Sequence, residues 1–223
     1  MQGSDINALE SMESASNYNK HIFNKICAQI DTKNVVDFGA GFGYFCDYLI
    51  SKGKKVIAVE INEEAVKKLK AKKYEIYKSL NDVSIKNKTI VSLNVLEHIE
   101  DDKKAIKKFY DFMNSGEKII LYLPVSMIVW SNLDVLVNHY RRYSKKDIVQ
   151  KLKSVGFSVT SIEYVDFIGW LVLLIMRIFK VKIGFDETRI KFYDKYVFRY
   201  FIFLDKVFSR TIGKNILIHA YKD

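Results

Sequence analysis

The chain has 223 residues, 49% of them hydrophobic and 28% charged, which suits one domain of ordinary size plus an appendage. That apolar content excludes a disordered chain, and no repeat or low-complexity tract is present. Thirty-six Lys and Arg against 26 Asp and Glu give a formal charge of +10, so a polyanionic partner has to be weighed. There are two cysteines, Cys27 and Cys46, and no C-x-x-C. A zinc ribbon and a disulfide scaffold are thereby excluded, a reducing compartment is expected, and no metal-ligand set is assigned. The first residues, with Ser4, Asp5 and Asn7, lack the charged-then-apolar pattern of a leader, and a cytoplasmic location is expected.

Residues 6–31 carry the pattern of an amphipathic helix, with Ile6, Leu9, Ile22, Phe23, Ile26 and Ile30 inward. Val35 to Phe38 is a short apolar strand that runs into Gly39-Ala40-Gly41-Phe42-Gly43. A helix over Tyr44 to Lys52 should stop at Gly53, a C′ glycine. Val56 to Glu60 reads as a second buried strand, after which Asn62 caps a helix with Glu63 and Glu64 in its first turn. Lys67, Lys68, Lys70, Lys72 and Lys73 fall toward that helix's end, where they complement its dipole and read as a solvated face, not a phosphate track.

Strands are predicted over Tyr74 to Lys78 and Thr89 to Asn94, then a helix from Asp101 with Ala105, Ile106, Phe109, Phe112 and Met113 inward. Lys118 to Leu123 is a buried strand closed by the single proline, Pro124, where a missing N–H is harmless. Ser144-Lys145-Lys146-Asp147 is a capping-box variant before a helix ending near Gly156, and Phe157 to Val165 alternates as a strand. Apolar strands separated by helices predict an α/β, doubly wound, mostly parallel sheet. Ligands in such sheets bind beyond the carboxyl ends of the strands. Residues 125–138 read equally as a lid or a crossover.

Phe167 to Met176 is apolar until Arg177 interrupts it, about half of the roughly 20 residues a bilayer span needs. Phe192 to Phe208 reads as a helix with a narrow polar stripe at Lys195, Arg199 and Lys206. Between Tyr164 and Phe208 lie 13 of the chain's 31 aromatic residues. Two readings stand: a buried helix against the sheet, or a monotopic insertion that rests on an anionic membrane or covers an apolar acceptor. Lys214 to Tyr221 is a last strand. The expected organisation is a core of residues 1–165 and 212–223, with residues 166–211 as a helical, aromatic and basic insertion.

In Asp37-Phe38-Gly39-Ala40-Gly41-Phe42-Gly43, alternate glycines let the backbone turn tightly and meet a ligand without a Cβ between. A dinucleotide loop would be G-x-G-x-x-G, with a pyrophosphate on the helix N-terminus. Here the third glycine comes one residue early and an acid precedes the loop. That acid would repel a diphosphate and favours a cationic or hydroxyl-rich ligand. Glu60, at the end of the second strand, stands where an acid can accept hydrogen bonds from a ribose diol.

This pattern resembles the first motif of class I S-adenosylmethionine-dependent methyltransferases, an acid followed by G-x-G-x-G. The resemblance implies a Rossmann-like fold of seven strands whose last is antiparallel, with S-adenosyl-L-methionine as cofactor. It places Asp37, Gly39, Ala40, Gly41 and Gly43 at the methionine part, Glu60 with Ile61 at the ribose, and Asp82 nearest the adenine. Ser92 to Asp102 is similar to the N-V-L-E-H-I-x-D-D signature of the small-molecule branch that includes the ubiquinone-type enzymes, which puts Asn94 and Val95 beside the cofactor. His139-Tyr140-Arg141-Arg142-Tyr143-Ser144 resembles the H-x-R-R-Y-S segment of bacterial and archaeal methyltransferases, many encoded among glycan- and envelope-building enzymes. Met12-Glu13-Ser14-Ala15-x-x-Tyr18 fits the same branch, and the likeness covers about residues 8–165.

Neither the Asn/Asp-Pro-Pro-aromatic motif of base-amine enzymes nor a Pro-Cys nucleophile is present, so nucleic acid is not the expected partner. The resemblance implies a small-molecule, glycan or lipid-linked acceptor. A hydroxyl acceptor must lose a proton, and His139, then His98, are the expected bases; His98 reads equally as a residue that orders its loop. Arg141 and Arg142 can fork a phosphate or carboxylate of the acceptor, or serve in surface ion pairs. Tyr143 is grouped with them, though its ring suits the core. His21 and His219 read as structural. The leading expectation is methyl transfer to a hydroxyl of a small, glycan or lipid-linked acceptor. A quinone- or lipid-precursor methyltransferase and a silent, membrane-attached binding protein of the same fold are the alternatives.

Overall fold

The computed structural model describes residues 13–72, 75–181, 184 and 186–223. Ile6, Leu9, Met12, Lys73 and Tyr74, to which the sequence assigns roles, lie outside them. Helix α1 (Ser16–Cys27) leads into β1 (Asn34–Phe38), α2 (Tyr44–Ser51), β2 (Lys55–Val59), α3 (Glu63–Ala71) and β3 (Glu75–Tyr77). After a 3₁₀ turn, Leu80–Asp82, come β4 (Lys88–Leu93), a second 3₁₀ turn, Leu96–His98, α4 (Asp102–Phe112) and β5 (Lys118–Pro124). A 3₁₀ turn, Met127–Val129, and α5 (Asn132–Leu136) precede α6 (Lys145–Val155) and β6 (Phe157–Val165). Helices α7 (Phe167–Ile178), α8 (Glu187–Phe192), α9 (Arg199–Phe201) and α10 (Leu204–Phe208) then lead to β7 (Asn215–Lys222).

The strands form one seven-stranded sheet, ordered β3-β2-β1-β4-β5-β7-β6. Every pairing is parallel except those of β7, which runs antiparallel between β5 and β6. Alternation along the strands divides the core between the two faces. Val36, Ile57, Ile90, Ile119 and Ile218 pack with Ile106, Phe109, Ile148 and Leu152 of α4 and α6. Val35, Ala58, Val91, Ile120 and Leu217 pack on the other face with Ile22 and Ile26 of α1 and Leu49 of α2.

Local signals behave as their chemistry dictates. Asn62 Oδ1 accepts the Ala65 N–H, Asp101 Oδ1 accepts that of Lys104, and Ser144 Oγ accepts that of Asp147. Gly53 and Gly156 take positive φ after α2 and α6.

The aromatic stretch differs from the single helix expected over Phe192 to Phe208. It passes through a π-helical turn at Tyr193–Phe198 and short turns at α9 and α10. Two acids inside it face the core. Asp194 accepts the backbone N–H groups of Asn17 and Tyr18 in the first turn of α1. Asp205 accepts those of Asp166 and Phe167 at the start of α7. Helix starts leave N–H groups without partners, and carboxylates distant in sequence supply them here. Phe198 is buried edge-on to Tyr18, so one side of the insertion is core. The other side leaves Phe179, Phe192, Tyr200, Phe203 and Val207 exposed.

Candidate functional site

The carboxyl ends of β1, β2, β4 and β5 converge on one edge of the sheet. At β1 the chain reverses through Gly39, Gly41 and Gly43, with φ of 79°, 53° and 82°, a region that residues with a Cβ seldom occupy. The loop is fastened to its neighbours: Gly39 N–H donates to the Val59 carbonyl at 2.8 Å, and Gly41 N–H to Glu60 Oε2 at 2.8 Å. Glu60 Oε1 accepts the N–H groups of Ile61 and Asn62, both at 2.8 Å. A single buried carboxylate therefore ties the glycine loop to the start of α3.

Asp37 is buried beneath the loop and accepts the Cys46 thiol at 3.2 Å. Burial raises its carboxyl to about 7; the Cys46 hydrogen bond pulls downward and the Glu60 charge upward. The lysines of the α3 end are largely solvated, as expected, and two of them also touch the loop. Lys68 lies 3.7 Å above the Phe42 ring, and Lys72 donates to the Phe42 carbonyl and to Asp47. Asp82 ends its 3₁₀ turn in an exposed position past β3, and the Ile61 side chain is also exposed.

Beyond β4, Asn94 takes φ of 51° and its Oδ1 accepts from Asn215 Nδ2 of β7. Val95 packs against the loop so closely that a Cβ on Gly39 would fall 2.3 Å from Val95 Cγ2. The adjacent turn carries Glu97 and His98. Glu97 is fully buried, and among the described residues no other residue donates a hydrogen bond to its carboxylate oxygens. Burial raises its carboxyl to about 8, with the Arg142 charge pulling downward.

The segment after α5 brings His139 to the same place. Its ring meets that of His98 edge to face at 4.6 Å, its Nδ1 lies 2.8 Å from Asp134 Oδ1, and its Nε2 lies 3.8 Å from Glu97 Oε1. Asp134 is buried and also accepts Arg142 Nε at 2.7 Å and the Ser131 N–H. Burial alone would raise Asp134, but His139 and Arg142 outweigh it and hold the carboxyl at about 2. Sequence reading missed Asp134, because residues 125–138 match no catalytic motif and a lone acid in a mostly apolar segment carries no signal.

The expected anion fork is not formed. Arg142 is committed to Asp134 and the Val125 carbonyl, while Arg141 pairs with Asp102 at 2.9 Å and donates to the Glu100 carbonyl. Tyr143 is likewise a packing and positioning residue, not an acceptor contact: it is 1% exposed and its hydroxyl donates to Asp102 Oδ2. Asp102, reached also by Lys151 at 2.7 Å, captures the charges because it lies at the α4 start under this segment. His21 pairs with Asp205, and His219 is buried within β7. Neither reaches the site.

Among curated proteins, the chain is similar to a probable S-adenosylmethionine-dependent methyltransferase of Mycolicibacterium smegmatis, 18% identical over 146 residues, or 62% of this chain and 57% of that protein. A Mycobacterium tuberculosis protein with the same description is 20% identical over 61% of this chain and 53% of its own length. The chain thus spans little more than half the length of these relatives. Among solved structures, a SAM-dependent methyltransferase from Archaeoglobus fulgidus superposes with a TM-score of 0.65 at 19% identity, covering 93% of this chain and 94% of that one. The magnesium protoporphyrin IX methyltransferase of Synechocystis, solved with bound SAH, gives 0.60 at 15% identity over 96% and 86%. At these identities the shared property is the fold, a Rossmann-like α/β sheet. The family model described as methyltransferase domain matches residues 13–162, glycine loop, Glu60 and the Glu97 turn included, and the chain belongs to that family.

Proposed function

We propose that the protein is an S-adenosylmethionine-dependent methyltransferase that transfers the methyl group to a hydroxyl of a small-molecule, glycan or lipid-linked acceptor. The observation that carries this reading is the glycine loop held in positive φ and tied by Glu60 to the end of β2. S-adenosylmethionine, when bound, supplies a methyl group made electrophilic by the sulfonium charge. The residues present suit it. The loop offers backbone without side chains on the side where the methionine part approaches. A carboxylate accepts at about four lone-pair sites, and three backbone donors leave Glu60 room for a ribose hydroxyl. Asp37 beneath the loop gains its charged form when a cation settles above it.

Alignment of the acceptor is the protein's main task and is worth several kcal/mol in such displacements. The groups at the β4 and β5 ends able to take the hydroxyl proton are His139 and His98. The lipid-linked class is favoured by the insertion, which abuts this edge: Arg177 of α7 donates to the Ile128 carbonyl at 2.6 Å. Its exposed aromatics stand among exposed Lys191, Lys195, Arg199, Lys206 and Arg210, a composition that complements an anionic membrane surface. Among the described residues no helix is long and apolar enough to cross a membrane.

Calorimetric titration with S-adenosylmethionine and S-adenosylhomocysteine tests the cofactor. Binding that Gly41→Arg and Glu60→Ala both weaken is expected, and no binding of either ligand by the unaltered chain refutes the proposal. Sedimentation with anionic vesicles at low salt tests the membrane reading. Replacing Phe192, Tyr200 and Phe203 by Ser should abolish it; failure of the unaltered chain to sediment refutes a membrane-borne acceptor.

A further inference from the structure

We propose that Glu97, His98 and His139 form a binding site for one divalent transition-metal ion. One ligand atom from each lies within 4.8 Å of the other two. Three ligand atoms about 2.1 Å from one ion stand about 3.4–3.6 Å apart, so side-chain shifts of about an ångström close the site. The main observation is Glu97. A fully buried carboxyl that no other described residue donates to is rare, because little replaces the water it gave up. A cation between it and the two imidazoles supplies that compensation.

His139 is presented as metal-ligating histidines are. Its Nδ1 is held at 2.8 Å by the Asp134 carboxylate, which Arg142 and the Ser131 N–H fix in turn, and its Nε2 is turned toward Glu97. Two imidazoles and one carboxylate suit Zn, Mn, Fe or Co in preference to Mg or Ca, and three protein ligands leave positions open for a further oxygen. Only two residues of chain separate this cluster from Asn94, and one of them, Val95, packs against the glycine loop. An acceptor hydroxyl entering an open position would lose its proton more readily to water. That last role rests on the methyltransferase reading; binding of the ion does not.

The test uses the full chain stripped with chelator, then titrated with Co²⁺ and Zn²⁺, following cobalt d–d absorption and binding heat. One ion per chain is expected, with affinity reduced at least tenfold in Glu97→Gln, His98→Ala and His139→Ala. Asp134→Asn should weaken binding 10- to 100-fold through loss of imidazole orientation. Circular dichroism and S-adenosylhomocysteine titration identify the variants that remain folded. Absence of a d–d spectrum, or equal affinity in all folded variants, overturns the proposal. Cofactor binding without metal binding refutes the metal site alone, and metal binding without cofactor binding refutes the methyltransferase reading alone.

Discussion

Replacing Gly39 by Ala should separate two costs that the glycine loop avoids. At φ of 79° an L-residue pays about 1–2 kcal/mol for the left-handed conformation. Its Cβ would also lie 2.3 Å from Val95 Cγ2 and 3.1 Å from Cγ1, an overlap that costs about 1–3 kcal/mol once neighbours shift. The sum, about 2–5 kcal/mol, is a large share of the stability of an ordinary domain. Val95→Ala removes both γ carbons and leaves only its Cβ, at 3.3 Å. In that background Gly39→Ala should cost only the backbone strain, so the two substitutions couple by about 1–3 kcal/mol in the stabilising direction. Urea denaturation of the four proteins, followed by circular dichroism, measures this. A Gly39→Ala cost below about 0.5 kcal/mol would show that neither the conformation nor the Val95 contact constrains the loop, and the same cost in both backgrounds would show that the Val95 contact does not.

The buried Asp37 predicts a pH dependence. Its folded carboxyl titrates at about 7 against 3.8 for an unperturbed aspartate, so between these values the folded chain holds a proton that the unfolded chain has released. Stability from this group therefore falls as pH rises from about 4 to 7, by about 1.4 kcal/mol per pH unit, and is level above. Relative to the unaltered chain, Asp37→Asn should gain about 2–3 kcal/mol between pH 5 and pH 7 in urea midpoints; an identical difference at both pH values would contradict the burial argument. Asp194→Ala should destabilise the chain by about 2–4 kcal/mol, since it leaves the Asn17 and Tyr18 N–H groups without their acceptor. Hydrogen exchange at those two amides should quicken with it, and unchanged exchange would mean that water replaces the carboxylate at no cost.

What the sequence determined by itself is what depends on neighbours a few residues apart. The positive-φ glycines, the Asn62, Asp101 and Ser144 caps, the Gly53 and Gly156 stops and the two periodicities of strand and helix are local chemistry, and from them the α/β sheet and the cofactor loop follow. Glu60 was legible too, because it sits at the fixed end of a strand that must lie beside the loop. Only the tertiary structure decided which distant charges meet. The Arg141–Asp102 and Arg142–Asp134 pairs turned an expected anion fork into scaffolding, and Asp194 and Asp205, within an apparently apolar stretch, turned inward to cap helices more than thirty residues away. The juxtaposition of Glu97 with His139 belongs to the same class. Their nearness depends on β4 and β5 lying side by side in the sheet, a pairing that no residue in either segment encodes alone.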